Sequence, residues 1–220
     1  DDVDKYVTPH TNKESQLFLV DLGRGKDRMG GSGLDQTLSC TNHESPNINK
    51  LDDLLNYYKF TQELVRKNVL NAYHDRSDGG LITTLIEMAF VSNMTIDLKN
   101  VSKKSKTELI RFLFNEELGG VFAIDKKCEK EFIKLAHKYN LDSITHNIGN
   151  ITAKGIPTLK IASCNYSESI SKLREYWSEL SYLIQSVRDN KKTALSEYEA
   201  KIKSHQTNLK YVTPKLHYRV

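Results

Sequence analysis

The sequence predicts an α/β (α+β) fold: a mixed β-sheet covered by helices on both sides, with a helical C-terminal extension. Three observations carry that prediction. Short apolar runs alternate with amphipathic segments of helical spacing, the pattern of a sheet layered with helices. Some connections between runs are too short for parallel crossovers, so strand directions are mixed. From Leu173 the pattern changes to a 3–4–3 rhythm of Leu173, Tyr176, Trp177, Leu180, Leu183, Ile184 and Val187, which reads as one long amphipathic helix.

Taken in order, residues 1–16 are polar, broken at Thr8-Pro9-His10, and read as a linker. Leu17-Phe18-Leu19-Val20-Asp21-Leu22 reads as a buried strand. Five glycines follow in the eleven residues Gly23–Gly33, which requires unusual dihedrals or close backbone approach. This loop has no Gly-Lys-Ser/Thr at Walker A spacing and no strict GxGxxG, so a structural seam and a ligand loop both stay open. Leu51, Leu54, Leu55 and Tyr58, then Leu64, Val65 and Val69, mark one long helix or two joined ones.

Val69–Tyr73 reads as a strand, and Leu81–Phe90 as a helix buried over much of its surface. Met94–Leu98 reads as a strand and Thr107–Phe114 as a helix, with Gly119-Gly120 suited to its C-terminal cap. Val121–Ile124 is a strand. A helix over Glu131–Tyr139 places Phe132, Leu135, Ala136 and Tyr139 on one face. Ile144–Ile151 and Thr158–Ala162 are two more strands, and Ala194–Ile202 is a final helical stretch. A sole Trp at helical spacing reads as core.

Composition narrows the function classes. The 220 residues suffice for one sizeable domain with an extension, or for two small domains. Hydrophobic content of 38% and charged content of 27% predict a packed core with solvated helices. The net charge of +4 comes from 32 basic and 28 acidic residues without an arginine stripe. The densest basic run, Lys103-Lys104-Ser105-Lys106, reads as a solvated loop, so nucleic-acid binding is weakly supported. Cys40, Cys128 and Cys164 lie far apart and read as reduced thiols of a cytoplasmic protein. The acidic stretch Asp1-Asp2-Val3-Asp4-Lys5 lacks an apolar core and does not read as a signal peptide, and no apolar run approaches the ~20 residues a membrane helix needs. Neither end resembles a natural terminus: the first residue is Asp, and Tyr211–Val220 reads like a strand or linker cut short. An excised piece of a larger protein is the expectation.

The stretch that carries chemistry is His74-Asp75-Arg76-Ser77-Asp78-Gly79-Gly80. It stands between a strand and a helix start, where backbone N–H groups are unpaired and anions are favoured. Nearby acids can hold a hard cation there. A metal–phosphate site is one reading. The other is a capped turn, with Ser77 or Asp78 as N-cap and the glycines allowing close approach.

Leu17-Phe-Leu-Val-Asp-Leu-Gly-Arg-Gly-Lys26, Gly30-Gly-Ser-Gly-Leu34, Ala72-Tyr-His-Asp-Arg-Ser-Asp-Gly-Gly-Leu81 and Glu87-Met-Ala-Phe90 resemble the phosphoribosylformylglycinamidine (FGAM) synthase family. Phe114-Asn-Glu-Glu-Leu-Gly119, Ile148-Gly149 and Trp177-Ser-Glu-Leu-Ser181 with Leu183–Asn190 continue the match across residues 8–210. Gly33 departs from the family's pattern, which has a small residue such as Ala there. The Trp-containing helix is similar to that of the large single-chain form. The resemblance implies the second AIR-synthase-like C-terminal domain of that enzyme over 16–165, after a linker over 1–15. It further implies a helical extension over 166–205 and a connector over 206–220 toward a glutaminase domain. Its partners would be the preceding AIR-synthase-like domains and that glutaminase domain, with no nucleic acid and no membrane.

The family is a ligase of purine biosynthesis. ATP activates the amide oxygen of formylglycinamide ribonucleotide (FGAR), and ammonia from glutamine displaces phosphate to form the amidine. The resemblance implies that Asp75 is a magnesium ligand and that Ser77 contacts the nucleotide, so Mg²⁺ and ATP or ADP are the cofactors. The remaining metal ligands would come from the preceding domain. None of the three cysteines inherits the glutaminase nucleophile, and no catalytic residue is assigned. The fragment alone is expected to be inactive. Two other classes predict different behaviour: a docking domain would self-associate, and a basic nucleic-acid binder would show steep salt dependence.

Overall fold

Seven strands form one sheet in the order β2-β4-β1-β5-β3-β6-β7, in a computed structural model that describes residues 6–102 and 105–203. The strands are β1 (Ser15–Asp21), β2 (Leu70–Asp75), β3 (Thr95–Asp97), β4 (Gly119–Ile124), β5 (Thr145–Thr152), β6 (Thr158–Ile161) and β7 (Tyr166–Ser169). All neighbours run antiparallel except β3 and β6, so the sheet is mixed as expected. The helices are α1 (Gly33–Thr37), α2 (Leu51–Arg66), α3 (Gly80–Ser92), α4 (Lys106–Phe114), α5 (Glu129–Lys138), α6 (Ile170–Arg188) and α7 (Lys191–Lys203). Residues through Ile170 form one compact unit, and those from Ser171 a second.

The central strands are apolar on both faces because both are covered. Phe18 and Val20 of β1 and Phe122 and Ile124 of β4 pack with Phe60 and Leu64 of α2 and with Phe132, Leu135 and Ala136 of α5. Rings dominate this layer: Phe60 lies 5.7 Å from Phe122 and 5.3 Å from Phe132, in tilted and edge-on geometries that aromatic quadrupoles favour. Alternation along a strand sends Leu17, Leu19, Val121 and Ala123 to the other face. All four are fully buried. On that side α3 packs against β2, β3 and α4.

Several local expectations are corrected. The buried stripe of α2 runs through Asp53, Phe60 and Leu64, with Leu54 and Tyr57 partly buried, while Leu51, Leu55 and Tyr58 are exposed. Gly119 and Gly120 do not cap α4. They open β4, and Asn115 caps the helix by donating from its side-chain amide to the carbonyls of Arg111 and Phe112. Ser105, in the segment read as a solvated loop, is the N-cap of α4 in a capping box with Glu108. Strand β7 and helix α1 have too little periodicity to read. In the second unit, Tyr182 and Tyr198 stack at 4.6 Å between α6 and α7. Trp177, expected in a core, is half exposed. The proposed connector 206–220, Lys103-Lys104 and the first five residues lie outside the described residues.

Candidate functional site

Strand pairing brings three separate stretches to one end of the sheet. Both β1 and β2 run antiparallel to β4, with Asp21 opposite Gly119 and Asp75 opposite Gly120. The end of β1, the end of β2 and the start of β4 therefore coincide. The glycine loop, the His74–Gly80 turn and the Asn115-Glu116-Glu117 segment meet there.

Ion pairs hold this junction from beneath. Arg76 is buried, donating from Nη2 to Asp21 Oδ1 at 2.6 Å and from Nε to the Glu117 carbonyl at 2.5 Å. Asp21 in turn accepts from Gly23 N at 3.1 Å and Gly25 N at 2.7 Å, which folds the start of the glycine loop around its carboxylate. Arg28 donates from Nε and Nη2 to the two oxygens of buried Glu117 at 2.6 and 2.8 Å, the bidentate geometry that suits guanidinium. Asp21, Arg28 and Glu117 are bracing residues that the sequence reading did not single out. The available signal was charge embedded in apolar flanks.

The turn itself differs from a conventional cap. Gly79, in the left-handed region at φ 80°, is the N-cap of α3, and no side chain of Ser77 or Asp78 caps the helix. Glu116 supplies the acceptor instead: its Oε1 lies 2.8 Å from Gly79 N and 2.8 Å from Gly33 N. One carboxylate thus joins the helix start to the glycine loop and meets the positive end of the α3 dipole. Gly80 must be glycine, because its φ is +74° and a Cβ would lie 2.6 Å from the Asn115 carbonyl oxygen. Gly30, within the glycine loop, sits against the chain's own His43–Ser45 backbone.

Asp75 ends β2 with its backbone fixed, the carbonyl accepting from Thr84 Oγ1 at 3.1 Å, and its side chain is 65% exposed. Oδ1 lies 3.2 Å from His74 Nδ1, whose Nε2 lies 2.9 Å from Glu87 Oε2 on α3. No other described side chain engages Oδ2. Ser77, two residues on, is exposed. An outward carboxylate with a free oxygen and a neighbouring hydroxyl fits a hard cation and a phosphate. Among the described residues no group of three or more His, Cys, Asp or Glu could hold a metal ion. Below it, burial pushes the Tyr57 hydroxyl well above the ordinary tyrosine value, and its partner Tyr73 at 2.9 Å and the Asp75 charge add to the rise.

Two cavities lie nearby or apart. One of 230 Å³ touches Asp21, Gly25, Asn100, His146 and Asn147. An apolar one of 340 Å³, between α3, α4 and β6–β7, contains none of the site residues. The three cysteines are free thiols. No described helix is long and apolar enough to cross a membrane.

Comparison with known proteins agrees with this architecture. The chain is 34% identical over 210 residues to phosphoribosylformylglycinamidine synthase of Schizosaccharomyces pombe, covering 90% of this chain and 16% of that protein. The chain thus spans about a sixth of that relative's length. Thermotoga maritima PurL complexed with ATP superposes with a TM-score of 0.57 at 12% identity, over 78% of this chain and 27% of that one. PurL of the same organism complexed with FGAR gives 0.54 at 13% identity, over 78% and 30%. Residues 19–162 match the model of the AIR synthase related protein, C-terminal domain, so the chain belongs to that family.

Proposed function

We propose that this chain is part of an FGAM synthase and contributes one wall of a magnesium–nucleotide site. The observation that carries the reading is the Asp75 carboxylate, solvent-facing at a rigid junction, in a chain that is 34% identical to a named FGAM synthase. In the reaction of that enzyme, FGAR, glutamine and ATP are converted to formylglycinamidine ribonucleotide. A magnesium ion, when bound, supplies positive charge that neutralises polyphosphate.

The contribution of this chain is positioning. Asp75 offers Oδ2 to the ion, and Ser77 donates its hydroxyl to a phosphate oxygen. Arg76 faces inward to Asp21, so it braces the turn rather than reaching a ligand. Glu116 holds the N–H of Gly79, so the first free donor of α3 is already committed to a carboxylate of the protein. The nucleotide is therefore held through the ion and Ser77 more than through the helix end. The remaining ligands, the substrate cleft and the ammonia source belong to the preceding AIR-synthase-like domains and the glutaminase domain of the longer enzyme. The limits 16–165 for the sheet domain and 166–205 for the helical extension, and a cytoplasmic location, are part of the same reading.

The test is ATP- and glutamine-dependent formation of amidine from FGAR. The full-length enzyme carrying this sequence is expected to catalyse it, and the 220-residue chain alone is not. A full-length enzyme that binds FGAR and ATP without turnover would reject the assignment. So would turnover by the isolated chain.

A further inference from the structure

Asp75 is not a lone carboxylate. His74 precedes it on β2 and is mostly buried, with its side chain 15% exposed. Its imidazole stands between two carboxylates, Nδ1 at 3.2 Å from Asp75 Oδ1 and Nε2 at 2.9 Å from Glu87 Oε2. Glu87 comes from the second turn of α3, so the ring is anchored to the helix rather than to the turn. A carboxylate only accepts hydrogen bonds, so the ring tautomer with its proton on Nδ1 donates to Asp75 Oδ1, while the Glu87 carboxylate faces the other ring nitrogen. The arrangement leaves Asp75 Oδ2 as the outward oxygen.

From this geometry we infer that His74 and Glu87 are positioning residues for the metal, a tether that fixes the Asp75 carboxylate so that it binds through Oδ2 alone. The inference rests on the reading of Asp75 as a magnesium ligand. An exposed aspartate rotates freely about two torsions, and its productive orientation is one of several. A donor on Oδ1 removes that freedom before the ion arrives. Groups that orient metal ligands in this way commonly change metal affinity by ~10–100-fold when removed. Nothing in the packing requires the pair: Glu87 is one-third exposed, and the α3 core is held by Leu81, Leu85 and Met88.

The experiment is Mn²⁺ binding to the full-length enzyme in the presence of ADP, followed by loss of the free-ion electron paramagnetic resonance signal. ADP affinity without metal and the melting temperature are measured on each variant. His74→Gln keeps a polar end near the Nε2 position and leaves Asp75 without its donor. It is expected to weaken Mn²⁺ by ~10-fold or more. His74→Asn places an amide N–H near the Nδ1 position and is expected to retain most of the affinity. Glu87→Gln loosens the far anchor and is expected to fall between the two. Metal-free ADP affinity is expected to stay constant throughout.

If Asp75→Ala loses Mn²⁺ while His74→Gln and His74→Asn both bind it like the wild type, the tether is rejected and Asp75 stands. Equal losses in those two His74 variants, tracking melting temperature, would also reject it in favour of a structural role. If Asp75→Ala itself binds Mn²⁺ normally, the metal reading fails first, and the tether with it.

Discussion

Arg76 Nη2 and Asp21 Oδ1 lie 2.6 Å apart across 55 residues of sequence, in a pair that is almost wholly buried. The pair ties the end of β1 to the turn after β2, and Asp21 also gathers the amides of Gly23 and Gly25. Removing one partner of a buried pair strands the other charge, which costs ~3–5 kcal/mol. Asp21→Ala is expected to lower the unfolding free energy measured by urea denaturation by that amount, and Arg76→Lys to lose much of it too, since an ammonium cannot reproduce the planar fork. Unchanged midpoints would show that the junction does not depend on this pair.

The two glycine loops separate dihedral freedom from space. Gly25 has φ +72° with nothing within 4 Å of an added Cβ, whereas Gly80 has φ +74° and meets the Leu113–Asn115 backbone. Gly25→Ala is expected to cost only the left-handed strain, ~1–2 kcal/mol. Gly80→Ala adds overpacking of ~1–3 kcal/mol. Chemical denaturation of the two variants side by side gives the order; equal losses would contradict the close approach.

Glu116 joins two amides through one oxygen. Glu116→Ala is expected to expose the N–H groups of Gly33 and Gly79 to faster hydrogen exchange and to cost about 1–2 kcal/mol. Glu116→Gln keeps an acceptor oxygen and is expected to preserve most of the protection. Identical exchange in the two variants would mean that the bridge is not what orders the loop.

The buried Tyr57 hydroxyl sets an alkaline limit. Burial raises its pKa above the unfolded value near 10, and the same cause raises that of Tyr73. The folded state therefore holds its protons while the unfolded state loses them as pH climbs past that value, so stability falls with pH there. Tyr57→Phe is expected to flatten this decline in unfolding free energy measured between neutral and strongly alkaline pH. At neutral pH it is expected to cost only about 1 kcal/mol for the lost hydrogen bond. A decline as steep as in the wild type would place the responsible group elsewhere.

Elements set by strong local pattern were readable from the sequence, and long-range ones were not. The apolar run Leu17–Leu22 and the face Phe132, Leu135, Ala136 are found where periodicity places them. In α2 the expected Leu64 is buried and Leu54 partly so, while Leu51, Leu55 and Tyr58 are exposed because Tyr57 and Phe60 compete at equally good helical spacing, and only the packed partner decides. Gly119-Gly120 resembles a helix cap, yet β4 needs Gly119 at φ +153° against the Val20 carbonyl. The turn around Asp75 was legible because polar residues cluster between apolar runs. Its bracing was not: Asp21, Glu116 and Glu117 reach it only through the antiparallel pairing of β1 and β2 with β4. The cap assigned to Ser77 or Asp78 failed because Glu116 from another segment occupies that role.

In the proposed site, Asp75 ligates the ion that holds the nucleotide. Titration of Mg–ADP into the full-length enzyme and into its Asp75→Ala variant, followed calorimetrically, tests it most directly. The variant is expected to bind magnesium and Mg–ADP at least ~10-fold more weakly, with its melting temperature in the absence of ligand unchanged because the side chain is mostly exposed. Equal affinities in the two proteins would contradict it.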